Sequence, residues 1–246
     1  MTTKADNIPA WLDPHNPECR FPDVSRALTE PNGLLAVGGN LAAENLLKAY
    51  QQGIFPWYSA DQPILWWSPD PRSVLFPKQL RISLSLGKTI GRNMFNVTLD
   101  TSFEQVIEAC AVSRPQSSGT WITQEIKDAY CQLHELGYAH SVEAWIDGAL
   151  AGGLYGVAVG RIFFGESMFY RQRDASKVAF VRLVRQLETW GYTLIDCQIA
   201  SRHLASLGAR EISRQEFCSI LARDCKLKGQ PAPWRFDKTM HCGIIE

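Results

Sequence analysis

Apolar side chains recur at helical spacing in two segments between residues 102 and 137. Each segment begins with a residue type that caps helices, Ser102 and Thr123, and Gly137 follows the last apolar position. The helix-spaced apolar positions are Phe103, Val106, Ile107 and Cys110 in the first segment and Ile126, Tyr130, Leu133 and Leu136 in the second. The spacing predicts two amphipathic helices, each with one face toward a core.

From residue 140 the spacing changes to that of β-strands. Residues 140–169 form three apolar stretches separated by an Asp-Gly pair at 147–148 and by Gly160, which predicts an antiparallel meander. Asp174 is expected to cap, with its side chain, the amphipathic helix that follows it, and residues 192–199 predict one more strand. The order of elements predicts an α+β fold with a mainly antiparallel sheet flanked by helices. It resembles the fold of the acetyl-coenzyme A dependent N-acetyltransferases, a GNAT-like domain.

The first 70 residues have weaker patterning, with one helix predicted over residues 42–51. The segment 53–72, GIFPWYSADQPILWWSPDPR, contains five aromatic residues and four prolines, which disfavour a helix or a central strand. Its rings either fix a loop to the core or form a rigid surface that stacks a flat ligand. We expect two domains, a small irregular N-terminal one over residues 1–70 and the GNAT-like one over residues 71–246.

Composition limits the class of protein. The chain has 246 residues, 46% of them hydrophobic, which is enough for a real core. The longest weakly polar run, residues 148–160, is too short to span a bilayer, and the first residues lack the pattern of a secretory signal. Seven scattered cysteines without a CxxC pair argue against a disulfide framework and a zinc site. We therefore expect a reduced, cytoplasmic protein without a metal or membrane contact.

Charge is distributed unevenly although the net charge is zero. Residues 1–70 carry four basic and eight acidic side chains, whereas residues 71–99 carry five basic side chains and no acidic one. The five are Arg72, Lys78, Arg81, Lys88 and Arg92. Screening limits each charge to a reach of about 8–10 Å, so a local basic stretch can bind phosphate in a neutral protein. An ordinary solvated basic surface is the alternative.

Two carboxylates lie in otherwise apolar strands. Alternation places Leu194, Asp196 and Gln198 on one face of the last strand. The opposite face carries Ile195, Cys197 and Ile199. Glu166, in FFGESMF, is the second such acid. Two acids in one small sheet suggest a cationic ligand or a proton-handling site, although each could simply bond nearby backbone.

A Cys-His-Asp hydrolase is one alternative, because Asp196, Cys197 and His203 are close in sequence. The alternation argues against it, since Cys197 is expected to face away from Asp196. A buried core cysteine is the better interpretation.

Longer strings carry a specific family resemblance, in order from residue 21 to residue 221. They are EPNGLLAVGGNL, the 53–72 segment, GTWIT, LHELGYAHSVE, GGLYGVAVG, FFGESMF, DASK and LIDCQIASRHLASLGA. Together they resemble the bacterial leucyl/phenylalanyl-tRNA–protein transferases. Ser201 departs from the asparagine common in that family.

The resemblance implies an aminoacyltransferase that needs no cofactor. It implies transfer of leucine or phenylalanine, and less well methionine, from Leu-tRNA or Phe-tRNA to proteins with N-terminal Arg or Lys, which marks them for N-end rule degradation. For this reaction we expect three catalytic residues: Asp196, held by Gln198, accepts or relays the proton of the amine or only orients the amine, and Glu166 holds the cationic substrate. We expect a monomer.

The resemblance also implies where the aminoacyl-tRNA binds. Trp57 and Trp121 match the positions that stack the 3′-terminal adenosine, while Trp66 and Trp67 are expected to be core anchors. Arg81, Lys88 and Arg92 are expected to meet tRNA phosphates. The positions carried over to the aminoacyl pocket, each of which could also be plain core, are Leu154, Phe163, Phe180, Leu183, Leu187 and Ile195.

Two other functions are weighed against this one. An acetyl-coenzyme A dependent acetyltransferase would need a glycine-rich loop before the helix that follows the meander, and that site reads YRQRDASK. A non-catalytic RNA-binding module would not explain the carboxylates of Asp196 and Glu166.

Overall fold

The computed structural model describes residues 8–112 and 121–237. The first two residues of the GTWIT string and the outer ends of both expected domains, 1–7 and 238–246, lie outside the described residues. Within them the strands are β1 (Ala10–Leu12), β2 (Leu34–Gly38), β3 (Phe55–Pro56), β4 (Leu65–Trp67), β5 (Arg72–Leu75), β6 (Asn96–Leu99), β7 (Ala139–Ile146), β8 (Ala149–Val159), β9 (Ile162–Tyr170), β10 (Leu194–Gln198) and β11 (Arg210–Ile212). The α-helices are α1 (Ala43–Gln51), α2 (Leu84–Gly91), α3 (Phe103–Val112), α4 (Gln124–Glu135), α5 (Ala175–Thr189), α6 (Arg202–Ser206) and α7 (Arg214–Asp224).

The larger sheet has the strand order β11-β5-β10-β9-β8-β7-β6. Its neighbouring strands are antiparallel except for β9 and β10, which run parallel. Helices α3 and α5 both pack on β7, β8 and β9. This arrangement confirms the predicted α+β class with a mainly antiparallel sheet flanked by helices.

The period-2 alternation of the strands divides the core between the two faces of the larger sheet. Phe164 and Leu194 belong to the cluster that contains the α3 and α4 side chains. Phe163 and Ile195, their sequence neighbours, belong to the cluster that contains the α5 side chains. Alternate side chains of β9 and β10 therefore pack into the two cores on opposite faces of the larger sheet.

The smaller sheet has the order β1-β2-β4-β3 and uses part of the aromatic segment. Its strands β3 and β4 form from FP and LWW, and Trp66 is fully buried. The indole Nε1 of Trp66 donates to the backbone oxygen of Gly38 at 2.8 Å. The prediction that Trp66 anchors the core is confirmed, and Trp67 is half-buried beside it.

The predicted meander is confirmed as β7, β8 and β9. Asp147 and Gly148 both have positive φ, 49° and 77°, which is the geometry of a tight two-residue hairpin turn. Asp174 occupies the N-cap position of α5 but has φ 65°, and its carboxylate contacts Lys177 Nζ at 3.1 Å. The expectation that its side chain caps the helix is wrong, because the left-handed backbone turns the carboxylate away from the first helical N–H groups.

No helix within the described ranges is long and apolar enough to cross a membrane.

Candidate active site

A cavity opens where strands β9 and β10 stop pairing. Their parallel register runs from Leu194 opposite Ile162 to Asp196 opposite Phe164. Beyond this point β9 continues to Tyr170 while β10 ends at Gln198. The residues after the last pair, from both strands, line a cavity of about 290 Å³. The splayed strands thus make room for a ligand at the centre of the sheet.

The inner wall of the cavity is apolar. Four of the six residues expected in an aminoacyl pocket line it: Leu154, Phe163, Phe180 and Ile195. Leu183 and Leu187 are fully buried in the same core cluster but are not among the lining residues. They lie one and two turns beyond Phe180 along α5, so they pack against the sheet behind the cavity.

Asp196 is locked to an arginine that the sequence pattern did not associate with it. The Nε of Arg72 donates to Oδ1 of Asp196 at 2.8 Å, and Nη2 of Arg72 donates to Oδ2 at 2.7 Å. Both side chains are buried, and Nη1 of Arg72 donates to the oxygen of Gly53 at 3.1 Å. Arg72 therefore does not belong to the basic surface, where its sequence neighbours placed it.

The residues around Arg72 explain its burial. Strand β5 carries it into the larger sheet between β10 and β11. Its guanidinium carbon lies 4.8 Å from the ring centre of Phe55 and 4.6 Å from that of Phe217. The planar cation is thus covered by aromatic faces above its hydrogen-bonded edge. A charged residue at the start of RSVL, a strand whose other residues are small or apolar, is the sequence signal that could have revealed it.

Gln198 contacts Asp196 through both its backbone and its side chain. Its backbone N–H donates to Oδ1 of Asp196 at 3.0 Å, and its Nε2 donates to Oδ2 at 3.4 Å. The register with β5 shifts between the two residues, and Gln198 has φ 53°. This bulge aims the amide of Gln198 at the cavity, which it lines together with Asp196.

The other face of β10 does not continue as expected. Cys197 is buried, and burial raises the pKa of its thiol, which opposes a thiolate nucleophile. Ile199 is 53% exposed, so its predicted place in the apolar row is wrong. The strand has ended at Gln198, and the positive φ there redirects the chain. The Cys-His-Asp alternative loses its nucleophile.

Glu166 reaches the cavity from β9 and is held by two tyrosines. The hydroxyl of Tyr50 donates to Oε1 of Glu166 at 2.7 Å, and that of Tyr130 donates to Oε2 at 3.0 Å. The two hydroxyls are 2.5 Å apart. Burial raises the pKa of Glu166 to about 7, against the tyrosine hydrogen bonds, which lower it. The sequence assigned Tyr130 only to a helix face and did not single out Tyr50.

Ser201, which departs from the family pattern, begins α6. Its hydroxyl accepts from the backbone N–H of Leu204 at 3.2 Å, as an N-cap does. Ser201, His203 and Leu204 also line the cavity. Serine at this position therefore still caps the N-terminus of α6.

The two tryptophans expected to stack a base differ in exposure. Trp57 is 42% exposed and lies edge-on to Trp67, with ring centres 5.9 Å apart. Nε1 of Trp67 donates to the oxygen of Trp57 at 2.7 Å, which fixes the segment. Trp121 is only 9% exposed and packs in the core cluster that also contains Tyr130. Trp57 is therefore the more accessible of the two rings.

The basic residues expected to meet phosphate are exposed. Arg81 precedes α2, Lys88 lies in its last turn, and Arg92 follows it. Ser83 caps the helix by accepting from the backbone N–H of Leu86 at 3.3 Å. A second cavity, of about 560 Å³, lies between the start of α2 and the start of α5 and shares Met168 and His203 with the first cavity. The helix with the exposed cations is thus next to the candidate site.

Known proteins resemble this chain along most of its length. A family model described as "Leucyl/phenylalanyl-tRNA protein transferase" matches residues 74–222, and one described as its N-terminal domain matches residues 39–70. The leucyl/phenylalanyl-tRNA–protein transferase of Nitrosomonas europaea is 58% identical over 219 residues, 89% of this chain and 93% of the relative. That of Azoarcus sp. strain BH72 is 60% identical over 214 residues, 87% and 91%. Among solved structures, a GCN5-related N-acetyltransferase from Kribbella flavida is similar at TM-score 0.35 and 14% identity, covering 67% of this chain and 58% of that one.

Proposed function

The chain belongs to the leucyl/phenylalanyl-tRNA–protein transferase family and is an aminoacyltransferase; from this we propose that it transfers leucine or phenylalanine from aminoacyl-tRNA to the α-amino group of proteins that begin with arginine or lysine. The product carries a new peptide bond at its N-terminus. We propose further that the enzyme acts in the cytoplasm and that its products are marked for N-end rule degradation.

The observation that carries the proposal is the two-sided cavity between β9 and β10. Its inner wall, formed by Leu154, Phe163, Phe180 and Ile195, suits an aliphatic or aromatic side chain that is not branched at Cβ, such as that of leucine or phenylalanine. Polar groups of Glu166 and Gln198 line the same cavity. An aminoacyl ester with its side chain against the wall would present its carbonyl carbon toward the polar groups. An apolar pocket discriminates by only about 10- to 200-fold per methylene, so methionine should be tolerated.

The reaction needs no covalent enzyme intermediate. An aminoacyl ester is already activated, and an amine can attack it directly. The enzyme must hold the amine, remove its proton and orient the carbonyl group. In this proposal Glu166 holds the cationic end of the protein substrate. Gln198, fixed by Asp196, orients the reacting groups.

For the tRNA, the proposal uses two features outside the cavity. Trp57, together with Trp121, would stack the terminal adenosine, an interaction of about 1–3 kcal/mol that is indifferent to the rest of the tRNA sequence. Arg81, Lys88 and Arg92 would contact phosphates, which position the tRNA without reading its sequence.

A transfer assay tests the proposal. The purified protein is incubated with labelled Leu-tRNA and an Arg-initiated peptide, and we expect the label on the peptide N-terminus. The matched control is the same peptide beginning with glutamate, which should accept little label. A third arm supplies labelled acetyl-coenzyme A in place of Leu-tRNA.

The results of these three arms distinguish the proposed aminoacyl transfer from acetyl transfer and from RNA binding alone. Label transferred from acetyl-coenzyme A and not from Leu-tRNA would replace the proposal with an acetyltransferase. Binding of Leu-tRNA without any transfer would favour an RNA-binding module. Equal labelling of both peptides would contradict the Arg/Lys acceptor.

A further inference from the structure

Three elements meet at the carboxylate of Glu166. Helix α1 supplies Tyr50, helix α4 supplies Tyr130, and β9 supplies Glu166 itself. Each carboxylate oxygen accepts one tyrosine hydroxyl, at 2.7 and 3.0 Å, and both tyrosines are fully buried. Two rings anchored in separate helices therefore fix the position of one carboxylate that lines the cavity.

The other acid of the site is bound quite differently. Asp196 faces a full positive charge, with both oxygens engaged by Arg72 at 2.7–2.8 Å. A proton placed on Asp196 would break this bidentate pair and leave a buried guanidinium without its counter-charge. The hydroxyls on Glu166 are neutral, and the residue can gain a proton without stranding a charge.

We propose that Glu166, positioned by Tyr50 and Tyr130, accepts the proton that the α-ammonium group of the protein substrate gives up, while Asp196 remains ionised and only positions Gln198. This inference rests on the proposed function. Tyr50 and Tyr130 act through Glu166 and are positioning residues. The two acids of the site thus have different roles: Glu166 accepts a proton, and Asp196 fixes the position of Gln198.

Atoms and charges balance in this step. The ammonium nitrogen loses one proton to Glu166 and attacks the ester carbonyl carbon, forming the new C–N bond. The ester C–O bond breaks, and the second proton of the nitrogen passes to the ribose oxygen that leaves. Glu166 then returns its proton to solvent. One proton is released for each peptide bond formed.

The charged and titratable groups around Glu166 agree with this assignment. Burial raises its pKa to about 7, the hydrogen bonds from Tyr50 and Tyr130 lower it, Asp196 raises it and Arg72 lowers it. His203 of α6 lines the same cavity. Glu166 must be ionised to accept a proton, so activity should fall as the pH drops below about 7.

The pH dependence of kcat/KM for an Arg-initiated peptide, at saturating Leu-tRNA, tests the inference. Tyr50→Phe and Tyr130→Phe each remove one hydrogen bond that favours the charged form of Glu166. We expect each to move the acid limb of the profile upward by about one pH unit. Glu166→Gln should leave only the acid limb that belongs to the peptide amine and lower kcat by about 10²- to 10⁴-fold, with the Kd for Leu-tRNA unchanged.

Tyr192→Phe is the matched control. Tyr192 is also buried, and its hydroxyl accepts from the backbone N–H of Gln230 at 3.4 Å, away from the cavity. The acid limb of the kcat/KM profile of Tyr192→Phe should coincide with that of the unaltered protein. The amine of the peptide titrates as well, with a pKa of about 7.7–8.0, but identically for every variant. Only a shift between variants therefore reports on Glu166.

Failure of the inference is distinct from failure of the proposed function. If the unaltered protein transfers no leucine, the proposed function is lost. If it does transfer leucine but the tyrosine variants keep the same acid limb, the inference is overturned. Should those variants not fold, Glu166→Gln decides alone, because a Glu166→Gln protein whose kcat falls by less than about 10²-fold would also overturn the inference.

Discussion

At the scale of single residues, Asp196 and Arg72 hold opposite charges where neither is accessible to solvent. We expect Asp196→Asn to lower the free energy of unfolding by about 3–5 kcal/mol, because it leaves the guanidinium buried without a counter-charge. Urea unfolding followed by circular dichroism measures the loss.

Two further variants make this prediction specific. Glu108→Gln breaks the pair with Lys127 Nζ, which is on the surface at 2.6 Å, and should cost less than about 1 kcal/mol. Arg72→Met combined with Asp196→Leu removes both charges and should be less destabilising than Asp196→Asn alone. An Asp196→Asn protein as stable as the unaltered one would show that the pair does not hold the site.

Exposure separates the roles of the tryptophans. Trp57→Ala should leave the stability nearly unchanged, because the ring is 42% exposed. It should raise the KM for aminoacyl-tRNA by about 5- to 150-fold if an adenine ring stacks there. Steady-state kinetics with varied Leu-tRNA measures the change.

The control is Trp11→Ala, since Trp11 is 68% exposed on β1 and has no expected contact with the tRNA. Its KM should be unaltered. Trp121→Ala would not separate the loss of base stacking from the loss of core packing, because this ring is 9% exposed and its removal would also open a cavity in the core. Trp121→Phe is the milder test, and an unaltered KM in both Trp57→Ala and Trp121→Phe would exclude stacking.

At the scale of elements, the site depends on two strands that separate. Strands β9 and β10 pair over three residues only, so the residues after Phe164 and Asp196 are free to line a cavity. The bulge before Gln198 adds to the separation by twisting the end of β10. Glu166 and Gln198 therefore lie only two residues beyond the last pair of these strands. The short connection to paired backbone favours precise positioning of their side chains.

Helix α2 and its flanks form a separate electrostatic element. Replacement of Arg81, Lys88 and Arg92 by alanine should weaken the binding of all tRNAs alike. The slope of log K against log salt should fall by about one unit for each phosphate that the protein no longer binds. Filter binding of two unrelated tRNAs over a range of salt concentrations measures both effects.

Lys226→Ala with Lys228→Ala provides the control, because both residues are exposed and follow α7. This change should leave the slope close to that of the unaltered protein. Weaker binding of one tRNA but not of the other would contradict phosphate binding at α2.

At the scale of the whole molecule, a buried histidine ties the C-terminal segment to the sheet. The ring of His140 on β7 stacks on Trp234, with centres 3.6 Å apart, and its Nδ1 is 2.9 Å from Oδ2 of Asp100. The backbone N–H of Trp234 donates to the same oxygen at 2.8 Å. Burial lowers the pKa of His140 below its usual value of 6.5.

The sign of the pH dependence follows from this shift. Below about pH 6.5 the unfolded chain binds a proton at His140 that the folded protein resists, so the folded protein loses stability as the pH falls. We expect the free energy of unfolding to decrease by at most about 1.4 kcal/mol per pH unit through this residue. Unfolding in urea at several pH values between about 5 and 7 measures the slope.

His140→Phe should flatten that slope while it keeps the stacking on Trp234. Asp100 remains hydrogen-bonded in this variant, through the backbone N–H groups of Ser141 and Trp234. His15→Gln, at an exposed histidine, serves as the control and should leave the slope unaltered. Equal slopes in all three proteins would contradict a role for His140.

The sequence by itself determined the local features of this protein. Apolar periodicity indicated α3, α4 and the meander, and the acids in apolar strands indicated Asp196 and Glu166 as unusual. The family strings identified the enzyme class, which the family models and relatives confirm. These features lie within short stretches of chain, where spacing alone fixes which side chains share a face.

Only the tertiary structure decided the partners of these residues. Arg72 and Asp196 are 124 positions apart, and Tyr50 and Glu166 are 116 apart, so no local spacing connects them. They meet because β5 inserts beside β10 and because α1 and α4, which pack together, both reach Glu166 in the middle of β9. A strand's periodicity states which side is buried but leaves open which strand lies next to it. The packing of the whole sheet decides which strand is the neighbour. Here the neighbour of β10 is β5, so Arg72, which the sequence placed on a basic surface, becomes the buried counter-charge of Asp196.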